Sequence, residues 1–140
     1  MKNRYFVFNV SDFTLLLTSL AFFVGTFTFC KACGQTDSGA YMSCHWAENA
    51  LKGVTGVMLL LSVAHLIIRD YGVKPGLDIA VCALAILAML IPGTLINTCS
   101  MPNMRCNAVM RPCAIIFSAF ATAFSVIDLV FYLNKKRKSK

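Results

Sequence analysis

The sequence predicts an all-α integral membrane protein: a bundle of four transmembrane helices with both termini in the cytoplasm and two cysteine-rich extracytoplasmic loops. Three observations support this fold class. The chain is 58% hydrophobic with a mean hydropathy of +0.70. Only 14% of its 140 residues are charged, whereas a soluble domain has about 25%. The apolar residues form four blocks, and most basic residues fall in the segments that four spans would place on one side of a membrane.

The four apolar blocks set the predicted spans, because a helix needs about 20 apolar residues to cross the hydrocarbon core. The first two blocks are short and must borrow flanking residues, so one re-entrant segment is an alternative. A cleaved signal peptide is disfavoured because phenylalanines occupy the place of the small residues that precede cleavage. We assign a transmembrane domain to residues 1–134, with spans at about 11–29, 49–68, 76–97 and 113–133, and a basic tail to 135–140.

The positions of the glycine and proline residues fit these spans. Gly72, Pro75 and Gly76 predict a tight connection, with Pro75 at the start of the third span. Pro92 and Gly93 predict a kink or early unwinding about one turn from the end of that span.

The basic residues give the orientation of the spans. Nine of the 13 lie before the first span, between the second and third spans, or in the tail, so these segments and both termini are predicted to be cytoplasmic. A lysine-rich tail suits anionic lipid headgroups, so the net charge of +7 does not require a nucleic-acid partner. The nine are Lys2, Arg4, Arg69, Lys74, Lys135, Lys136, Arg137, Lys138 and Lys140.

Six of the seven cysteines lie in the two predicted outer segments, three in each, and Cys82 lies within the third span. Cysteines in an oxidising compartment predict a disulfide framework. If all six pair, at least one bridge must join the two segments. The connectivity is open, and the preferred pairs are Cys30–Cys44, Cys99–Cys106 and Cys33–Cys113.

The same cysteines suggest a rival function in thiol–disulfide exchange, with Cys30 and Cys33 as the dithiol and a relay through Cys113 or Cys106. The spacing of Cys30 and Cys33 and the four-helix architecture resemble the quinone-linked oxidases of disulfide formation. However, both cysteines follow the C-terminal end of the first span, where the helix dipole opposes a thiolate. Cys113 and Cys44 lie nearer helix beginnings and would be better nucleophiles. Structural disulfides are therefore the preferred interpretation.

A second rival is a Cu(I)-handling protein. Met42, His45, Met101 and Met104 are soft or borderline donors beside the outer cysteines, and such donors suit Cu(I). Methionines that fill irregular gaps explain the same pattern, and oxidised cysteines offer no thiolate ligands. We therefore predict no metal and no cofactor.

Four ionisable residues are predicted at similar depth near the cytoplasmic face: Asp12, His65, Asp78 and Asp128. Such groups are functional candidates in a membrane, although Asp12 and Asp78 also suit helix N-termini. Asp128 lies near a helix C-terminus, so it is expected to face the bundle or a partner, with His65 or a tail lysine as its counter-charge. A proton path would need ionisable groups across the membrane, so we predict an inner polar cluster.

Two motifs carry a family resemblance. The first is Cys30 with Met42-Ser43-Cys44-His45-Trp46-Ala47-Glu48, and the second is Ile91-Pro92-Gly93-Thr94-Leu95-Ile96 with Cys99, Met104, Cys106 and Pro112. The chain resembles a family of small bacterial four-helix membrane proteins catalogued as domain of unknown function 4418. The resemblance implies that Cys30–Cys44 and Cys99–Cys106 are shared bridges and Cys33–Cys113 is an extra one. It also implies a multi-pass protein of the bacterial inner membrane, often encoded beside ABC transporter permeases.

The motif residues also have physical roles of their own. Trp46 beside His45 is expected to anchor the chain at the membrane interface. Glu48 is expected in the first turn of the second span, where the helix dipole favours an acid. The family resemblance implies an accessory membrane subunit that partners an ABC transporter permease, and no unambiguous active site emerges from the residues. We therefore predict a non-enzymatic accessory subunit with a disulfide-stapled outer cap, whose partners are the lipid bilayer and such a permease.

Overall fold

The fold is taken from a computed structural model that describes residues 10–31, 34, 39–68, 72–98 and 103–138. These residues form four α-helices and no strand, which confirms the predicted all-helical class. A five-residue π-helical segment, Cys106–Met110, runs directly into the last helix. The helices are α1 (Val10–Thr28), α2 (Ser43–Ile67), α3 (Lys74–Leu90) and α4 (Arg111–Lys138).

The helices form a ring in which each packs against the next along the chain and α4 returns to α1. Neighbours are antiparallel, since the start of α1 contacts the end of α2 through Asp12 and His65. The end of α1 meets the start of α4 at a disulfide between Cys30 and Cys113. One end of the bundle, which we call the cysteine end, therefore holds the disulfide. The opposite end, which we call the charged end, holds Asp12 and His65.

The bundle is apolar outside and partly polar inside. Large apolar side chains on all four helices are exposed, among them Leu17 (55%), Leu60 (69%), Ile79 (58%) and Phe131 (70%). A soluble protein buries most such side chains. The buried residues include many polar ones: Asp12, Ser19, Thr26, Glu48, Thr55, Ser62, His65, Lys74, Asp78, Ser118, Ser125 and Asp128.

Two helical stretches are long and apolar enough to cross a membrane. They are Ser43–Ile67, with a hydropathy of 1.8, and Cys106–Asn134, with a hydropathy of 2.1. Asp12–Thr28 is a shorter apolar helix. Length and composition thus support a membrane location for the protein, most directly through α2 and α4.

The core between the helices is made of small and medium apolar side chains around a few large ones. Phe22 is 1% exposed and stacks on Phe117 of α4, with ring centroids 5.3 Å apart. Ala85 and Ala88 of α3 and Ala121 of α4 are fully buried. Alanine on facing helices lets their backbones approach closely, which fits the extensive contact between α3 and α4.

Helix α3 ends early, as Pro92 and Gly93 predict. The helix stops at Leu90, and a turn follows in which the Gly93 N–H donates to the Ile96 carbonyl at 3.1 Å. Gly93 has a φ of 99°, a conformation that side-chain-bearing residues rarely adopt. At the other end of α3, Pro75 lies in the first turn, where its missing N–H has no intrahelical acceptor to lose.

Helices α2 and α4 both begin before the spans predicted for them. Helix α2 starts at Ser43 rather than near residue 49, and Ser43 Oγ donates to the Asn97 carbonyl at 2.8 Å. The π-helical segment extends α4 backwards to Cys106. At its other end α4 continues through most of the basic tail to Lys138.

Candidate functional site

The disulfide at the cysteine end joins Cys30 to Cys113, whose Cα atoms are 6.1 Å apart. Cys30 lies two residues after the end of α1, which packs against α4, so the two cysteines come within bonding range. The predicted pairs Cys30–Cys44 and Cys33–Cys113 are therefore wrong, because each shares a cysteine with the observed bond. The bond does join the two predicted outer segments. Cys33 and Cys99 lie outside the described residues, so the pair Cys99–Cys106 stays a prediction.

Two further cysteines lie at the cysteine end, at the beginnings of helices. Cys44 is the second residue of α2, and Cys106 is the first residue of the π-helical segment. Both are fully buried and belong to the main core cluster. A helix start favours a thiolate through the dipole, whereas burial among apolar side chains disfavours it.

Cys113 does not lie at a helix start, contrary to the sequence prediction. The N–H of Arg111 donates to the Cys106 carbonyl, so the helical backbone is continuous from Cys106 onward. Cys113 therefore lies about two turns inside a helix, and the dipole argument for its nucleophilicity does not apply. The predicted fourth span begins at about residue 113 because its apolar block begins there, and hydropathy does not show that the helix starts earlier.

The Met-x-Cys-His-Trp segment forms the start of α2. Trp46 is 63% exposed, as expected of an interfacial anchor. His45 stacks on Tyr41 with ring centroids 4.3 Å apart, and its Nε2 lies 3.2 Å from the amide nitrogen of Asn49. The imidazole thus belongs to a surface aromatic group at the cysteine end.

Glu48 is not in the first turn of its helix, because α2 begins five residues earlier than Glu48. The expected interaction with the helix dipole is therefore wrong for this residue. Its Oε1 instead accepts from Lys52 Nζ at 2.6 Å, and the Lys52 ammonium lies 5.2 Å from the ring centroid of Phe27. This ion pair lies near the cysteine end of the bundle.

The proposed copper donors are only partly described. Met42 packs against the core cluster, and His45 contacts Tyr41 and Asn49. Met104 is partly buried next to the π-helical segment, and Met101 lies outside the described residues. Within the described part of the chain, no group of three or more His, Cys, Asp or Glu side chains has the geometry to hold a metal ion.

The charged end contains a buried ionic cluster contributed by three helices. Asp12 of α1 accepts a hydrogen bond at Oδ2 from Lys74 Nζ of α3 at 2.6 Å. The other Asp12 oxygen, Oδ1, lies 3.6 Å from Nδ1 of His65, on α2. His65 Nε2 lies 3.0 Å from Oδ1 of Asp78, on α3. His65 is fully buried, and Asp12, Lys74 and Asp78 are 5%, 7% and 1% exposed. The structure thus brings together three of the four residues predicted to form an inner polar cluster.

Helix α4 covers the same cluster with Tyr132 and Asp128. The Lys74 ammonium lies 5.6 Å from the ring centroid of Tyr132. Asp128 is 2% exposed and precedes Tyr132 by four residues, so both side chains lie on the inward face of α4. Asp128 is not near the C-terminus of its helix, because α4 continues ten residues further, to Lys138. The expected conflict with the helix dipole is therefore absent.

A layer of hydroxyl groups lies next to the ionic cluster. The hydroxyl oxygens of Ser19 on α1 and Ser62 on α2 lie 2.7 Å apart. Each hydroxyl can also donate to a carbonyl of its own helix, so one of the two donates to its backbone while the other donates across the helices. Ser125 of α4 is 1% exposed, three residues before Asp128. Serine hydroxyls that bond across helices are a common contact in membrane bundles.

Sequence reasoning missed Lys74 and Tyr132. The sequence predicts Lys74 in a cytoplasmic loop, whereas it opens α3 and points its ammonium into the bundle. The signal was the four-residue spacing of Lys74 and Asp78, which places both on one face of a helix. The same spacing relates Asp128 and Tyr132.

The sequence matches a known protein family. The family model described as Domain of unknown function (DUF4418) matches residues 15–131. No curated protein and no solved structure matches the chain. The matched region includes both motifs that carry the resemblance, together with the disulfide cysteines and most of the charged end. The chain therefore belongs to the family of proteins with Domain of unknown function (DUF4418), as its sequence motifs predict.

Proposed function

We propose that all four helices cross the membrane and that the protein is a non-enzymatic accessory subunit of a membrane complex. The observation that carries this proposal is the reversed polarity of the bundle. Exposed apolar side chains such as Leu17, Ile79 and Phe131 lie on α1, α3 and α4 as well as α2. An aqueous solvent would make such a surface unstable, whereas lipid or a partner helix matches it.

The positive-inside pattern supplies the orientation in this proposal. The charged end and both termini face the cytoplasm of a bacterial cell, and the cysteine end faces the opposite compartment. That compartment is oxidising in bacteria, which agrees with a disulfide between Cys30 and Cys113. The bond fastens α1 to α4 and gives the outer end a fixed shape.

The proposed partner is an ABC transporter permease, on the basis of the family resemblance. A small bundle offers such a partner two surfaces: the apolar helix faces within the membrane, and the disulfide-linked outer end. The phenylalanine-rich face of α1 is one candidate for docking, because Phe13 and Phe27 are 53% and 47% exposed. Lipid contact explains those exposures equally well, so the test must detect the partner itself.

The test is purification of the tagged protein from its native membrane in a mild detergent, followed by mass spectrometry. We expect a permease in stoichiometric amount. Substitution of exposed Phe27 by Ala should weaken co-purification if α1 docks. Val57→Ala on α2 serves as an apolar control, because Val57 is also 47% exposed. Recovery of the protein alone, with its native lipids, would contradict the accessory role.

Thiol–disulfide exchange is a second candidate, favoured by the arrangement at the cysteine end. A disulfide and two buried cysteines at helix starts, Cys44 and Cys106, occur together there. The test is alkylation of acid-quenched cells, which traps the cysteines in their cellular redox state. A substantial reduced fraction of Cys30 and Cys113 supports exchange. Complete oxidation under all growth conditions contradicts it.

A further inference from the structure

The ionic cluster at the charged end has more carboxyl groups than cationic groups. Asp12 and Asp78 face His65, and Asp128 lies on the face of α4 that covers the cluster. Lys74 is the one lysine or arginine among the described side chains that is buried at this end. With a neutral His65, the carboxylates of Asp12 and Asp78 would be balanced only by the ammonium of Lys74, which leaves one negative charge in excess. A low-dielectric interior strongly disfavours such an excess.

The contacts of His65 also require a donor at each ring nitrogen. Nδ1 faces Asp12 Oδ1 at 3.6 Å, and Nε2 faces Asp78 Oδ1 at 3.0 Å. A neutral imidazole has a proton on only one nitrogen, and the other carries a lone pair that a carboxylate oxygen repels. An imidazolium has a proton on both nitrogens and is attracted to both carboxylates.

Asp78 provides a second, independent observation. Its side chain is fully buried. Neither of its oxygens accepts a well-directed hydrogen bond from any of the described residues. A buried carboxylate without a donor is costly. A proton at His65 Nε2, directed at Asp78 Oδ1, supplies the missing donor after a small rotation of either side chain.

We propose that the charged end is a proton-binding site in which His65 carries a proton between Asp12 and Asp78. The bound proton links α1, α2 and α3, because Asp12, His65 and Asp78 each come from a different helix. Lys74 and Tyr132 complete the site from α3 and α4, and Asp128 adds a further acidic group from α4. Release of the proton leaves a ring nitrogen without a hydrogen facing a carboxylate, so the three helices are held less tightly when the pH rises. This site is independent of any partner subunit.

The chain offers a matched control, since His45 and His65 are its only histidines. The variant His45→Gln leaves His65 as the sole imidazole without touching the cluster. We would label this variant with ¹⁵N-histidine, place it in lipid nanodiscs and record the ring nitrogen signals at about pH 7. The proposal predicts that both nitrogens carry a proton and that the signals change to a neutral ring at higher pH. A neutral ring at about pH 7 overturns it.

A stability measurement provides a second readout. The unfolding temperature of His45→Gln should fall as the pH rises through the transition seen by NMR. His65→Gln should lack that step, because glutamine carries no titrating proton. Equal pH dependence in the two variants would overturn the proposal. If His65→Gln does not fold, Asp78→Asn in the His45→Gln background replaces it, and the NMR transition should then move to lower pH.

Discussion

At the scale of single residues, the pair Asp12–Lys74 is the most informative contact. Its N–O distance of 2.6 Å equals that of Glu48–Lys52, but the two pairs differ in burial. The side chains of Asp12 and Lys74 are 6% and 8% exposed, whereas those of Glu48 and Lys52 are 11% and 26% exposed. The two pairs therefore test what burial adds to an ion pair of fixed length.

We predict that Asp12→Asn lowers the free energy of unfolding by about 3 kcal/mol, because it leaves the Lys74 ammonium buried without its carboxylate. Glu48→Gln should lower it by only about 0.5 kcal/mol, since a partly solvated i,i+4 pair contributes little. The double variant Asp12→Asn with Lys74→Met should recover part of the loss. Unfolding in mixed detergent micelles measures all three. Equal losses for the two single variants would contradict this account.

The charged end also shows what a sequence reveals about a site. Depth in the predicted spans brought Asp12, His65 and Asp78 together, because residues at the ends of antiparallel helices lie at one level. Depth alone did not reveal which groups touch. The contact of Lys74 with Asp12 spans 62 residues, and it depends on how α1 and α3 are rotated about their axes. That rotation follows from packing in the folded bundle, which no local pattern records.

At the scale of elements, the disulfide between α1 and α4 is the strongest single constraint. Cys30 and Cys113 are 83 residues apart, and closing a loop of that length stabilises a chain by about 4.5 kcal/mol in the chain-entropy model. The gain is smaller in a bilayer, because lipid already restricts the unfolded chain. We predict that a phosphine reductant lowers the unfolding temperature of the native protein.

Two variants serve as controls for that prediction. The first is the double variant Cys30→Ala with Cys113→Ala, and the second is the single variant Cys82→Ala. The double variant should unfold at a lower temperature than the native protein and should respond less to the reductant. Cys82 lies on α3 outside the bond, so Cys82→Ala should keep the full response. An unchanged unfolding temperature on reduction would show that the bond does not stabilise the bundle.

The turn after α3 allows a second prediction at the scale of elements. Gly93 has a φ of 99°, and a Cβ at this position would lie 3.4 Å from Arg111 Nε. Gly39 also has a positive φ, 75°, but its Cβ would meet no atom of the described residues within 4 Å. Gly39→Ala should therefore cost about 1 kcal/mol for the backbone alone. Gly93→Ala should cost more, because the guanidinium must also move. Thermal unfolding of both variants measures these losses of stability. Equal losses in the two variants would contradict the role of Arg111.

Element boundaries were predictable where the chain carries a stop signal and less so elsewhere. Pro92 and Gly93 ended α3 as their chemistry requires. Ser43 starts α2 within a segment of mixed polarity, so hydropathy placed the second span later. The π-helical segment was not predictable, since its backbone pattern depends on the tertiary contacts of Cys106 and Met110 in the core.

At the scale of the whole molecule, the main feature is an apolar outer surface around a partly polar interior. Helices α2 and α4 meet the length and hydropathy expected of membrane spans. Helices α1 and α3, with 19 and 17 residues, are shorter. Their exposed faces are nevertheless as apolar as those of α2 and α4. A two-span protein would expose those faces to water, which is why the proposal places all four helices in the membrane.

Topology is the measurement that separates four spans from two. An epitope tag would be inserted at Gly39, at Gly72, at Asn103 or after Lys140, one per variant, and probed with antibody in intact and in opened spheroplasts. The account predicts that the tags at Gly39 and Asn103 are reached in intact spheroplasts, and that those at Gly72 and Lys140 are reached only after opening. If α2 and α4 alone cross, Asn103 lies on the same side as Gly72. That result would contradict the four-span bundle on which the proposed function depends.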